Sequence, residues 1–135
     1  RANSMAPGKR RTTGMVPTML FREDGSPFII VGAPGGSVII SAVLQTILNI
    51  VDFGMSPVEA VTVPRIHCEG KAIHAEARLQ DSEMNALQAM GHEVKRTAIS
   101  FDPVMSRGHV IVVDAEGNWR GGADPRGGGG VAYAR

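Results

Sequence analysis

The sequence predicts a mixed α/β (α+β) fold, and three observations carry that prediction. An apolar run, Phe28-Ile29-Ile30-Val31, leads into the turn Gly32-Ala33-Pro34-Gly35-Gly36-Ser37 and then into the longest apolar segment, residues 38–51. That order reads as a buried strand, a glycine turn and a helix. Apolar runs separated by Asp24-Gly25, and a turn at Glu116-Gly117-Asn118, predict two β-hairpins and so antiparallel pairing. Ser56-Pro57-Val58-Glu59 supplies an N-cap serine, a proline at the first helical position and a glutamate at N3, a capping box. At 135 residues the chain is long enough for one core, so residues 1–135 read as a single domain.

Residues 1–14 show no periodicity and read as an extended loop. Residues 15–21 are strand-like and pair through the hairpin with residues 28–31. The long helix is expected to start near Gly36 or Ser37, with the serine hydroxyl capping an early N–H. Ile40, Val43, Leu44, Ile47 and Val51 mark one face, and Ile39, Leu48 and Ile50 widen it. Such breadth implies burial on more than one side. Gly54 is the expected stop, and the capping-box helix should end before Pro64. Further on, residues 75–79 and 93–97 read as short strands, and residues 81–90 as a helix with Met84, Leu87 and Met90. Val110-Ile111-Val112-Val113 is a strand with a partner around Trp119. The glycines at 127–130 are too permissive for a regular element.

Composition narrows the function classes. Fourteen Lys+Arg against thirteen Asp+Glu leave a charge of +1, which argues against a nucleic-acid footprint despite the local cluster Lys9-Arg10-Arg11. No segment is long and apolar enough to span a bilayer, and the lone Cys68 excludes an internal disulfide. His67, His74, His92 and His109 lack metal-ligand spacing and read as surface or packing residues, so no metal is expected. No G-x-S-x-G occurs, and the glycine turn has neither the Lys-Ser/Thr of a P-loop nor dinucleotide spacing. Asp24, Asp102, Asp114 and Asp124 read as turn formers, and Thr12 and Thr13 as hydroxyls bonding local backbone. The glycine turn keeps two readings. Its glycines let strand and helix pack closely, or its free N–H groups and the helix dipole receive an anion or oxyanion. Because the chain opens at Arg1, a processed product or an excised fragment is expected.

Several separated stretches, taken together, resemble one family. The chain has Lys9-Arg10 and Met15-Val16-Pro17-Thr18, the turn at residues 32–37, then Leu44-Gln45 and Asp52-Phe53-Gly54. Pro64-Arg65-Ile66-His67 and Asp124-Pro125-Arg126 follow in the same order. These runs are similar to those of the small subunit of the γ-glutamyltransferases (γ-glutamyltranspeptidases). The resemblance implies part of an N-terminal-nucleophile αββα sandwich made by self-cleavage of a precursor. An N-terminal threonine would attack a γ-glutamyl amide, with its own α-amino group as base, and water or an amine would take the acyl group. Gly35 and Gly36 would supply the oxyanion hole through main-chain N–H groups. No cofactor is implied. The implied partners are the large subunit of the same precursor and a small γ-glutamyl substrate such as glutathione, at the periplasm or cell surface.

Two departures shape the expectation. Aligned on Met15, the family's two substrate-carboxylate serines fall on Thr13, which keeps a hydroxyl, and Gly14, which offers only its N–H. That points toward a divergent member, an amidohydrolase with another acyl group. The family's Thr-x-His-x-(Ser/Thr) stretch also does not precede Lys9. The chain therefore reads as the C-terminal portion of a small subunit: oxyanion hole and part of the carboxylate site, without the nucleophile. A small-carboxylate-binding module without chemistry is the alternative of another class.

Overall fold

The computed structural model describes residues 3–133. The first hairpin pairs β1 (Thr18–Phe21) with β2 (Pro27–Gly32), and its turn is held by Asp24 Oδ1, which accepts from the Ser26 amide at 2.8 Å. α1 (Val38–Val51) and α2 (Pro57–Thr62) follow. Then come β3 (Ile66–His67), β4 (Ile73–Ala75), α3 (Asp81–Ala89) and β5 (Val94–Arg96). A short 3₁₀ turn (Pro103–Met105) leads into β6 (His109–Val113) and β7 (Trp119–Ala123).

A four-stranded antiparallel sheet runs β1-β2-β6-β7, and a smaller one runs β3-β4-β5 with β4 and β5 parallel. Pleat alternation puts Ile29, Val31 and Val110 on one face, where they pack with Ile39, Val43 and Ile50 of α1 and with Ala60 and Val61 of α2. Burying this set stabilises the fold by roughly 1.5–3 kcal/mol per large side chain. The other face carries the cross-strand row Met19, Ile30, Ile111 and Gly121, with Met19 exposed.

Several expectations need correction. α1 buries Ile39, Ala42, Val43, Thr46 and Ile50, but Ile40, Leu44, Leu48 and Val51 stand in the open, so one side only is covered within the described residues. Ser37 makes no side-chain cap on α1; its backbone is already helical (φ −61°, ψ −28°), unlike the extended N-cap of α2. The strand expected over residues 75–79 lies earlier, at β4. β7 runs into the glycine-rich tail as far as Ala123, paired with β6 along its whole length, and Gly122 lets α2 pack closely: a Cβ there would stand 2.4 Å from the Pro57 carbonyl oxygen. α3 buries no residue, and Met90 is exposed. The α2 capping box forms as read, with the Ser56 amide donating to Glu59 at 2.8 Å.

Asp24, Asp102 and Asp114 accept local amides as turn formers do. Asp124 does so too, accepting the Arg126 amide at 2.9 Å, but it has a larger part as well. It is fully buried and forms an ion pair with Arg65 and a second with Arg126 at 3.0 Å. Arg126 also pairs with buried Glu76 and donates to the carbonyls of Val61 and Val63, both at 2.7 Å. This network ties α2, β4 and the end of β7 together. Burial by itself raises the pKa of Glu76 and Asp124, but hydrogen bonds and the neighbouring guanidiniums outweigh it and hold both below the usual carboxylate range. Arg65 shifts down, through burial and the like charge of Arg126.

Candidate active site

The glycine turn sits where β2 hands over to α1, so strand and helix geometry fix both its ends. Gly35 has φ +150°, a conformation that side-chain-bearing residues rarely adopt. A Cβ there would also press on Val38 and Ile39 at 3.3 Å. Gly36 has no such constraint, since a Cβ at 36 would meet open space. The turn is braced from the far end of the sequence: Ser106 Oγ donates to the Pro34 carbonyl at 2.7 Å. Ser106 itself has φ +69°, unusual for a non-glycine residue. The Gly36 carbonyl accepts from Ile39, the first bond of the helix end, at 3.3 Å. Among the described residues, the amides of Gly35 and Gly36 donate to no main-chain acceptor. Two donors and the positive end of α1 thus share one short stretch.

Thr13 and Gly14 come to the same place. A Cβ on Gly14 would stand 2.7 Å from the Gly36 carbonyl oxygen and 3.6 Å from Ser37 Cα. The loop before β1 therefore lies directly over the glycine turn, and its contact is possible because residue 14 has no side chain. The Thr13 hydroxyl accepts from the Met15 amide at 3.2 Å, the local turn bond expected of it, and still has a proton to donate. The four residues singled out in the sequence are brought together.

The structure adds a side-chain chain that the sequence did not signal. Ser41 Oγ and His67 Nδ1 lie 2.8 Å apart, and His67 Nε2 lies 3.1 Å from Glu69 Oε1. Glu69 is held below the usual carboxylate range by its hydrogen bond with Ser37 and then by His67. Only the proximity of Ser37 to Gly36 could have hinted at it, because Ser41 and His67 are 26 residues apart. Gln45 joins the same elements: its amide nitrogen donates to the Ile66 carbonyl at 2.8 Å and its oxygen accepts the Ile66 amide at 3.0 Å. Cys68 is exposed, and among the described residues no group of three His, Cys, Asp or Glu side chains is arranged to hold a metal.

Over nearly its whole length the chain is similar to known proteins. A family model described as Gamma-glutamyltranspeptidase matches residues 1–134. A glutathione hydrolase proenzyme of Bacillus subtilis is 38% identical over 125 residues, 91% of this chain and 20% of that protein. An acylase ACY 1 proenzyme of Pseudomonas sp. strain V22 is 40% identical over 111 residues, 76% of this chain and 20% of that protein. Among solved structures, a gamma-glutamyltranspeptidase from Pseudomonas nitroreducens complexed with L-DON superposes with a TM-score of 0.82 at 28% identity. It covers 100% of this chain and 69% of that one. The chain spans about a fifth of the length of the curated relatives it matches.

Proposed function

The chain belongs to the γ-glutamyltranspeptidase family, and from that membership we propose that its parent protein hydrolyses or transfers the acyl group of a γ-glutamyl or related amide. The observation that carries this reading is the meeting of the Thr13-Gly14 loop with the Gly35-Gly36 turn, whose amides have no main-chain acceptor. The Gly35 and Gly36 N–H groups are the oxyanion donors. They receive the carbonyl oxygen as it gains charge, and the N-terminal end of α1 adds to the field there. Thr13 contributes its hydroxyl, and Gly14 its N–H, to the substrate carboxylate. The nucleophile is an N-terminal threonine supplied from outside these 135 residues, with its α-amino group taking the proton.

A large subunit from the same precursor is the proposed partner, and the open apolar side of α1 (Ile40, Leu44, Leu48) is a surface it would cover. The site needs no cofactor or metal. Among the described residues no helix is long and apolar enough to cross a membrane, and the proposed location is the periplasm or cell surface. A second reading keeps the reaction class and changes the acyl group. Gly14 lacks the hydroxyl that a glutamyl carboxylate would meet, and an acylase stands among the relatives at 40% identity.

The isolated chain is expected to show no turnover of a chromogenic γ-glutamyl anilide, whereas the complete protein should release the chromophore. Turnover by the 135 residues alone would remove the claim that the nucleophile lies elsewhere. If the complete protein cleaves aliphatic or aromatic acyl anilides and leaves γ-glutamyl ones untouched, the acylase reading replaces the first.

A further inference from the structure

One residue beside the glycine turn stands against the preference of its own backbone. Ser106 is 1% exposed and ends the 3₁₀ turn with φ +69° and ψ 176°, a region that glycine enters freely and side-chain-bearing residues avoid. A glycine at 106 would relieve that conformation and give up only a hydroxyl. The hydroxyl has one proton, and it goes to the Pro34 carbonyl at 2.7 Å. The segment carrying the serine is anchored along its length. Phe101, also at positive φ (+54°), has the Arg78 guanidinium 3.7 Å above its ring centre. Asp102 Oδ1 accepts the Val104 amide at 3.0 Å, and Met105 is buried. The hydroxyl is therefore presented from a fixed point.

The carbonyl it holds belongs to the same peptide unit as the Gly35 amide. No cis peptide bond occurs among the described residues, so that unit is planar and trans, and its N–H points away from its C=O. Fixing the Pro34 oxygen on Ser106 thus fixes the direction of the Gly35 N–H. Nothing else on the main chain does so, since that amide has no main-chain acceptor among the described residues and glycine leaves the plane free to turn. We propose that Ser106 is a positioning residue of the oxyanion hole, holding the Pro34–Gly35 plane so that the Gly35 amide meets the acyl oxygen as it gains charge. The inference rests on the acyl-transfer reading given above. A donor already aimed stabilises that charge without reorganising, whereas a plane that must first turn gives up part of the gain.

The test compares Ser106→Ala and Ser106→Gly with the unaltered complete protein, in single-turnover cleavage of a γ-glutamyl anilide. In both variants the limiting acylation rate is expected to fall about tenfold, less than for a donor deleted outright. The half-saturating donor concentration should stay within about twofold, because the brace acts on the oxygen that gains charge and not on the bound amide. Urea unfolding supplies the readout that separates positioning from structure. Glycine relieves the positive φ, so Ser106→Gly should be at least as stable as Ser106→Ala and yet equally slow. Unaltered acylation in Ser106→Gly, or a rate loss that follows stability across the two variants, would overturn the assignment. Gly35→Pro keeps this outcome apart from the reading beneath it. If that variant acylates at the unaltered rate, the oxyanion assignment itself fails; if it is slow while both Ser106 variants are fast, the brace alone fails. If no γ-glutamyl anilide is turned over, a crystal structure of Ser106→Gly decides. The Pro34–Gly35 plane should have turned from its position in the unaltered protein, and an unmoved plane refutes the brace.

Discussion

Asp124→Ala is expected to destabilise the fold by about 3–5 kcal/mol, because it strips buried cations of their partner. Asp124 accepts the Gly108 amide at 2.8 Å and the Arg126 amide at 2.9 Å, besides its pairs with the Arg65 and Arg126 guanidiniums. Arg126 retains Glu76 after the substitution, but Arg65 does not retain a carboxylate on its guanidinium, and its Nε and Nη1 have no partner to begin with. Arg65 is 2% exposed, so water does not reach it to compensate. Urea unfolding of the complete protein is the measurement. Combining Arg65→Met with Asp124→Ala should recover part of the loss, since the orphaned charge is then gone. A single-variant loss below about 1 kcal/mol would contradict the account, that being the ordinary scale of exposed pairs.

The same network sets an acid limit. Glu76 and Asp124 both have folded-state pKa values below their ordinary ones. Their contribution is therefore present above the unfolded values of about 4 and is lost as pH falls through the folded values. The unfolding midpoint should hold from neutrality to about pH 5 as far as these two groups set it, and decline below about pH 4. A midpoint insensitive to acid would show that the folded protein holds neither carboxylate below its ordinary range.

Gly35→Pro in the complete protein is expected to slow acylation by roughly 10²–10³-fold, the usual consequence of deleting one oxyanion donor. Proline removes the N–H and fixes φ near −65°, far from the +150° found at residue 35. The turn is thus disturbed as well as disarmed, and Gly36→Ala separates the two effects. It keeps the amide, and its Cβ meets open space, so its loss should be much the smaller. Single-turnover release of the anilide chromophore reads acylation directly. Equal losses in the two variants would mean that the turn is sensitive to any change and that the amide at 35 has no special part.

Local signals made most of the main sheet and the two longer helices legible. The hairpin turns, the capping box and the strand-glycine-helix order each act over a few residues, and each formed where the sequence places it. What stayed hidden depends on contacts between distant residues. Asp124 has the flanking proline of a turn aspartate, and only the approach of Arg65, 59 residues away, makes it part of a buried network. The open side of α1 looks core-like in sequence because apolar periodicity reports what a helix can bury and not whether the chain at hand covers it. Ser37 has the right type and position for an N-cap, yet its backbone is helical and its side chain makes no cap.

At the site the division is similar. Gly35 and Gly36 were readable as a candidate oxyanion turn because their chemistry is main-chain and local. That Gly14 touches that turn, and that Ser106 braces it from 72 residues away, required the fold. The family runs also separate by task. Gln45 joins α1 to β3, and Arg65, Asp124 and Arg126 build the buried network, so these shared positions hold the scaffold. The proposal assigns the acyl chemistry to the glycine turn and the loop above it.

The most direct test of that assignment is a crystal structure of the complete protein carrying a covalent tetrahedral adduct on its threonine. The account predicts the adduct oxygen at ~2.7–3.1 Å from the amide nitrogens of both Gly35 and Gly36. An oxygen turned away from both amides, held by side chains or by water, would contradict it.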